Sequence, residues 1–190
     1  MTTTNDANTA KVNNGVNVDA LLGAREALEQ TPEAAQFKWR ATCDWVNGTH
    51  SRSVIGGFFG LGGEQGRDQS FTVEADHPKQ FAADDLAPTP VELVLSGLAS
   101  CLTGGIAAVA QRRGIQLHSV KATVEADMDL QGILGIDEDV RNGFSNVRVH
   151  FEIKADAKPD DIKALVAQSQ KRSAVFDIIT NPTNVIVTVN

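Results

Sequence analysis

An α+β fold is predicted by three features of the sequence. Apolar and polar residues alternate in several segments, an uncharged run separates two groups of those segments, and helical spacing of apolar residues returns near the C-terminus. With 190 residues and 42% hydrophobic content, the chain can build one substantial core.

Residues 1–17 are rich in Asn and Thr and read as a flexible arm. Asp19 can cap a short helix, ALLGAREALEQ, that ends before Thr31-Pro32. Residues 1–36 are thus an arm and an N-terminal helix, and residues 37–190 form the main domain. From Phe37 the period is two: Phe37, Trp39, Ala41, Cys43 and Trp45 face one way, so a strand with one apolar face is expected. Asn47-Gly48 suits a tight hairpin turn, SRSVIGGFF the return strand, GLGGEQGRD a loop, and FTVEA a third strand. The glycine-rich loop lacks the GxxxxGK[ST] lysine of a phosphate loop.

A long helix should run from Pro90 to Arg113 and stop at Gly114. Thr89 is its N-cap, Pro90 its first residue, and Glu92 lies one place short of the capping-box position. Arg112 and Arg113 suit the negative end of its dipole. From Leu93 to Ala110 it carries no charge, which touches the length of a membrane span. Ser96, Ser100, Thr103 and the glycines inside the run, with amphipathic strands after it, argue against a membrane. A soluble helix apolar all round is buried all round, by sheet or by a second subunit.

Two further strands follow, Val120 to Gln131 and VRVHFEIKA. Then come the helix KPDDIKALVAQSQKRSA, a short helix AVFDIIT, and a closing strand NVIVTVN.

The net charge of -7 makes nucleic acid an unexpected partner. Two cysteines and a start without a charged or apolar leader point to a cytoplasmic protein. His50, His77, His118 and His150 sit on separate elements without ligand spacing, so no metal or other cofactor is expected. No GxSxG elbow is present. Cys43, beside Trp39 and Trp45 on an apolar face, reads as a small packed hydrophobe. Cys101 is open to two readings. Gly97, Gly104 and Gly105 leave the backbone around it bare, which suits close helix packing, the preferred reading on these grounds, or access by a small molecule. Cys101 lies too deep in its own helix for that helix's dipole to activate it, and would need an arginine from elsewhere.

PTPVELVLSGLASCL, followed later by RSAVFDIITNP, resembles the OsmC/Ohr family of osmotically inducible and organic hydroperoxide resistance proteins, over about Phe37 to Asn190. The resemblance implies an intertwined homodimer with mixed or antiparallel sheets wrapped around two central helices. It places a peroxidatic cysteine at Cys101 and a resolving cysteine at Ser173, where this chain has serine, so the family's internal disulfide cannot form. The arginine of the family falls on Arg52. The partner glutamate falls on Val91, with Glu92 one residue later and turned by about 100°. Cys101, Arg52 and Glu92 are the candidate catalytic residues, acting on a small hydroperoxide with an external thiol as reductant. The alternative is a dimer that binds a small apolar ligand without catalysis, Cys101 being structural.

Overall fold

The computed structural model describes residues 12–189. Most of the arm expected to be flexible, residues 1–11, lies outside them. The chain separates into two compact units, one formed by the residues up to Val18 together with those from Gly97 onward, the other by Asp19–Ser96.

The Asp19–Ser96 unit opens with helix α1 (Val18–Gln30), ended by Pro32 and a single 3-10 turn. Strands β1 (Thr42–Asn47), β2 (His50–Ile55) and β5 (Phe71–Ala75) form an antiparallel sheet in the order β1-β2-β5. Gly48 supplies the positive φ of the β1–β2 turn, as Asn47-Gly48 predicts. The return strand does not run through. It breaks at Gly56-Gly57, and the predicted glycine-rich loop carries its own hairpin, β3 (Phe58–Gly60) with β4 (Gly63–Gln65), turned at Leu61 and Gly62. Gly60 lets the Phe37 ring lie against it, since a Cβ there would fall 2.4 Å from a ring carbon.

The apolar face expected on the first strand is not packed. Ladder pairing starts at Thr42 rather than Phe37, and β1 is exposed along its whole length, with Cys43 exposed and Trp45 73% accessible. Cys43 is therefore not the packed hydrophobe the alternation suggests. The reason is position: β1 is an edge strand, and among the described residues nothing buries either of its faces. Phe37, Trp39 and Phe58 instead stack on one another, with 4.6 Å between the Trp39 and Phe58 ring centres.

Asp76, directly after β5, is the buried acid of this unit, at 1% exposure. Thr49 Oγ1 donates to its carboxylate at 2.6 Å, and the N–H groups of Leu86 and His77 donate at 3.0 and 2.8 Å. Those three donors, Thr49 foremost, outweigh burial and hold its pKa down to about 2. Since the folded value lies below the ordinary carboxyl value, the stabilisation is complete above about pH 4–5 and lost as pH falls through about 2. Asp76→Asn, which swaps an acceptor for a donor, should lower Tm at pH 7 by roughly 5–10 °C. It should also flatten the fall in Tm between pH 4 and pH 2, both read by thermal melts across pH.

Helix α2 (Pro90–Arg113) has the predicted limits, its part from Gly97 onward belonging to the other unit, and Gly114 takes the positive φ that ends it. Leu98, Leu102, Ile106 and Ala110, spaced by four, form its one fully buried stripe. The rest is half-buried or exposed, so within one chain α2 is not covered on all sides. By length and composition α2 also meets the requirement for a membrane span.

Strands β6 (Leu117–Asp127) and β7 (Asn146–Ala155) pair antiparallel, with Val120 opposite Ile153, Ala122 opposite Phe151, and Val124 opposite Val149 on the apolar face. Lys121 meets Glu152, and Arg148 meets Asp127, on the polar face. β6 stops at Asp127, short of the expected Gln131, because Asp129 caps a one-turn helix α3 (Leu130–Ile133).

Helix α4 (Pro159–Lys171) begins with Pro159 and two aspartates, as predicted, and packs on α2 at Gly105. Ser169 Oγ donates to the Leu102 carbonyl at 2.6 Å, and a Cβ at Gly105 would stand 2.2 Å from that oxygen and 3.2 Å from the Ser169 Cβ. Gly97 and Gly104, by contrast, face open space. Gly105→Ala should therefore cost about 1–3 kcal/mol in denaturant unfolding, whereas Gly104→Ala should be neutral or stabilising.

Two ends of this unit differ from expectation. Part of the arm is fastened rather than flexible: the Gln111 side-chain amide bonds Val12 O and Asn14 N, and the Asn14 amide bonds Ile115 O and Leu117 N. The closing strand NVIVTVN does not form. Residues 182–189 have no regular structure, and Val187 is 84% exposed. A strand is stable only in a ladder, and among the described residues this segment has no partner strand.

Candidate functional site

Cys101 lies on α2 one turn beyond Leu98, half-buried and free of any disulfide. Helix α5 (Ala174–Thr180) begins beside it. The N-cap of α5 is Ser173, buried, whose hydroxyl oxygen accepts from Phe176 N–H at 3.2 Å and donates to Cys101 Sγ at 3.1 Å. The backbone N–H groups of Val175 and Ala174, at the start of α5, also favour the ionised form of the sulfur. The thiol thus sits at the N-terminus of a second helix, although it is deep within its own.

Burial pushes the Cys101 thiol up. The Ser173 hydroxyl and the N–H groups of Val175 and Ala174 pull it down, and together they prevail, leaving its pKa below the ordinary thiol value. A serine hydroxyl has one hydrogen to give, and here it goes to sulfur while its lone pair caps the helix. The arrangement shifts the thiol toward ionisation through neutral hydrogen-bond donors. Both residues are plain in the sequence, but only the fold brings Ser173 to Cys101. The family resemblance is the signal that pairs the two positions, while the cap position of Ser173 ahead of AVFDIIT marks a helix start without showing where it points.

The other candidate residues lie on Asp19–Ser96. Arg52 Nε donates to Glu74 Oε1 at 2.6 Å, across the β2–β5 pair in which the two residues are in register. The same carboxylate takes His50 Nε2 at 2.6 Å. Glu92 Oε2 accepts from Thr89 N–H at 2.9 Å. This is the carboxylate half of a capping box, and it corrects the expectation that Glu92 falls one place short: Glu92 is the third helical residue after the Thr89 cap. Val91, at the family glutamate's position, offers no polar group.

His118 pairs with Asp156. Among the described residues no three or more of His, Cys, Asp and Glu gather as metal ligands could.

A cavity of about 380 Å³ opens in the unit that holds Cys101. Leu98, Val147, Val149, Phe176 and Ile179 form its apolar wall, with Arg141 at its edge. Phe176 joins the two features, since it lines the cavity and its N–H bonds the Ser173 hydroxyl.

The profile of the OsmC family, OsmC-like protein, matches residues 83–188. Comparison with curated protein sequences gives no match. Among solved structures, an OsmC-like protein from Mycoplasma pneumoniae is similar with a TM-score of 0.57 at 18% identity, over 76% of this chain and 89% of that one. An organic hydroperoxide resistance protein, OsmC, from Legionella pneumophila is similar with a TM-score of 0.51 at 20% identity, over 74% of this chain and 89% of that one. These likenesses establish the fold, a mixed α+β arrangement of antiparallel sheets and helices.

Proposed function

Because the chain belongs to the OsmC-like protein family, we propose that it is a homodimeric stress-response protein of a reducing compartment that reduces small hydroperoxides through Cys101. The observation that carries this reading is the hydrogen bond on the sulfur, from the Ser173 hydroxyl at 3.1 Å at the start of α5. The Cys101 thiolate attacks one peroxide oxygen and breaks the O–O bond. Sulfur is oxidised to sulfenic acid, and the alkoxide takes a proton and leaves as an alcohol. An external thiol then condenses with the sulfenic acid, releasing water, and a second thiol reduces the mixed disulfide. Ser173 cannot resolve the sulfenic acid as a cysteine would. Its work in this reading is to donate to the thiolate. Arg52 and Glu92 enter only through the family resemblance, and here each already has another partner, Glu74 and Thr89.

A homodimer is supported by what one chain leaves uncovered. The exposed apolar segment 185–189 lacks a ladder, β1 is an open edge, and α2 shows one buried stripe where its composition calls for burial all round.

The test is consumption of cumene hydroperoxide by the full chain with dihydrolipoamide, glutathione or thioredoxin, against Cys101→Ser. Turnover absent in Cys101→Ser supports the reading. No turnover above that control with any of the three reductants overturns it.

A further inference from the structure

We infer that the cavity beside α5 is a binding site for an amphipathic organic monoanion, a short aliphatic or aromatic carboxylate, with Arg141 as the residue that selects the charge. The cavity volume of about 380 Å³ is that of a small-molecule site, which runs from about 300 to 1,000 Å³. Its wall is apolar on two sides: Leu98 from α2, Val147 and Val149 from the start of β7, and Phe176 and Ile179 from α5. Such a wall takes an apolar body and does nothing for a charge.

The charge is supplied by the connection between α3 and β7. Arg141 lies on that connection and lines the cavity, and no carboxylate among the described residues pairs with it. Arg148 of the same unit, by contrast, spends its guanidinium on Asp127 across the β6–β7 ladder. An arginine guanidinium presents a planar fork of donors that matches a carboxylate in two-point contact, which neither a neutral nor a cationic ligand can use. Ser145, Asn146 and Thr180 add neutral polar groups to the same lining.

The position of Arg141 is built rather than incidental. Its connection folds tightly against α3 at Gly132, where a Cβ would lie 2.4 Å from the Val140 carbonyl oxygen, 2.8 Å from Asn142 Oδ1 and 3.1 Å from the Arg141 carbonyl carbon. Only glycine permits that approach, so Gly132 is the positioning residue for the Arg141 backbone. None of this depends on the reactivity of Cys101.

The experiment is titration calorimetry of the full-length protein with sodium octanoate, and with 1-octanol as the neutral analogue, on the wild type, Arg141→Gln, Arg141→Lys and Gly132→Ala. Cys101→Ala is titrated alongside. Octanoate should bind the wild type saturably and more tightly than octanol. Arg141→Gln should weaken octanoate by roughly tenfold or more, the worth of a hydrogen-bonded charge, and leave octanol unchanged. Arg141→Lys should recover part of the loss, and Gly132→Ala should weaken octanoate while retaining the charge. Octanoate binding no tighter than octanol, octanoate affinity unchanged in Arg141→Gln, or no saturable octanoate binding would each overturn the assignment. Cys101→Ala should bind octanoate as the wild type does, so a protein that binds octanoate through Arg141 yet consumes no hydroperoxide would refute the peroxidase reading and leave this site standing.

Discussion

Replacing Ser173 by alanine slows the alkylation of Cys101 at pH 7 by roughly tenfold, the worth of one hydrogen bond to a charged group. The Ser173 Oγ donates at 3.1 Å to the sulfur, and in the thiolate that bond is charge-assisted. The same oxygen caps α5 through Phe176 N–H, so the substitution also loosens the first turn. The two effects separate in a full pH profile. The plateau rate at alkaline pH reports access to the sulfur, whereas the midpoint reports its ionisation. Loss of the donor moves the midpoint up. Fraying of α5 would raise the plateau as well, whereas loss of the donor without fraying leaves the plateau in place. The profile must be taken with Cys43→Ser present, because Cys43 is exposed and would be alkylated as well.

Ser173→Cys turns that donor into a second sulfur within reach of the first. One equivalent of hydroperoxide then oxidises Cys101 to the sulfenic acid, and the introduced thiol attacks it, releasing water and closing an internal disulfide. Mass spectrometry should find the peptide containing Cys101 joined to the peptide carrying the substitution under non-reducing conditions in nearly every molecule, whereas the corresponding wild-type peptides stay free. Turnover with a dithiol such as dihydrolipoamide should rise with it. If peroxide yields sulfinic acid at Cys101 and no joined peptide, the contact between residues 101 and 173 is not the one described.

Much of the fold was legible in the sequence because local rules decide it. Pro90, Gly114 and the uncharged run between them define α2, and the alternation in β6 and β7 survives because their apolar residues stand side by side, in register, on one face of the ladder. Two of the failures share one cause. Phe37 to Trp45 and residues 184–190 have strand periodicity, yet in one chain the first lies exposed and the second pairs with nothing among the described residues, since periodicity states which face wants burial and not what will bury it. The glycine-rich hairpin escaped because positive φ at Leu61, a leucine, leaves no signature in composition.

The site was half legible. Cys101 and Ser173 stand out by resemblance, but the missing resolving cysteine reads as a loss until the fold shows the serine hydroxyl aimed at the sulfur. The expectation that Cys101 needs an arginine assumed that its own helix was the only one that counted. Asp76 gave no signal at all: its donors come from Thr49 and Leu86, separated in the chain and joined only by the sheet and the connection to α2.

The central claim is that Ser173 and the opening N–H groups of α5 lower the pKa of the Cys101 thiol below its ordinary value. Its most direct test is the rate of Cys101 alkylation by iodoacetamide from pH 5 to pH 10 in the Cys43→Ser protein. The account requires a single ionisation with its midpoint below the ordinary thiol value of about 8.5, shifting upward in Ser173→Ala. A midpoint at or above the ordinary value, or one that Ser173→Ala leaves in place, would contradict it.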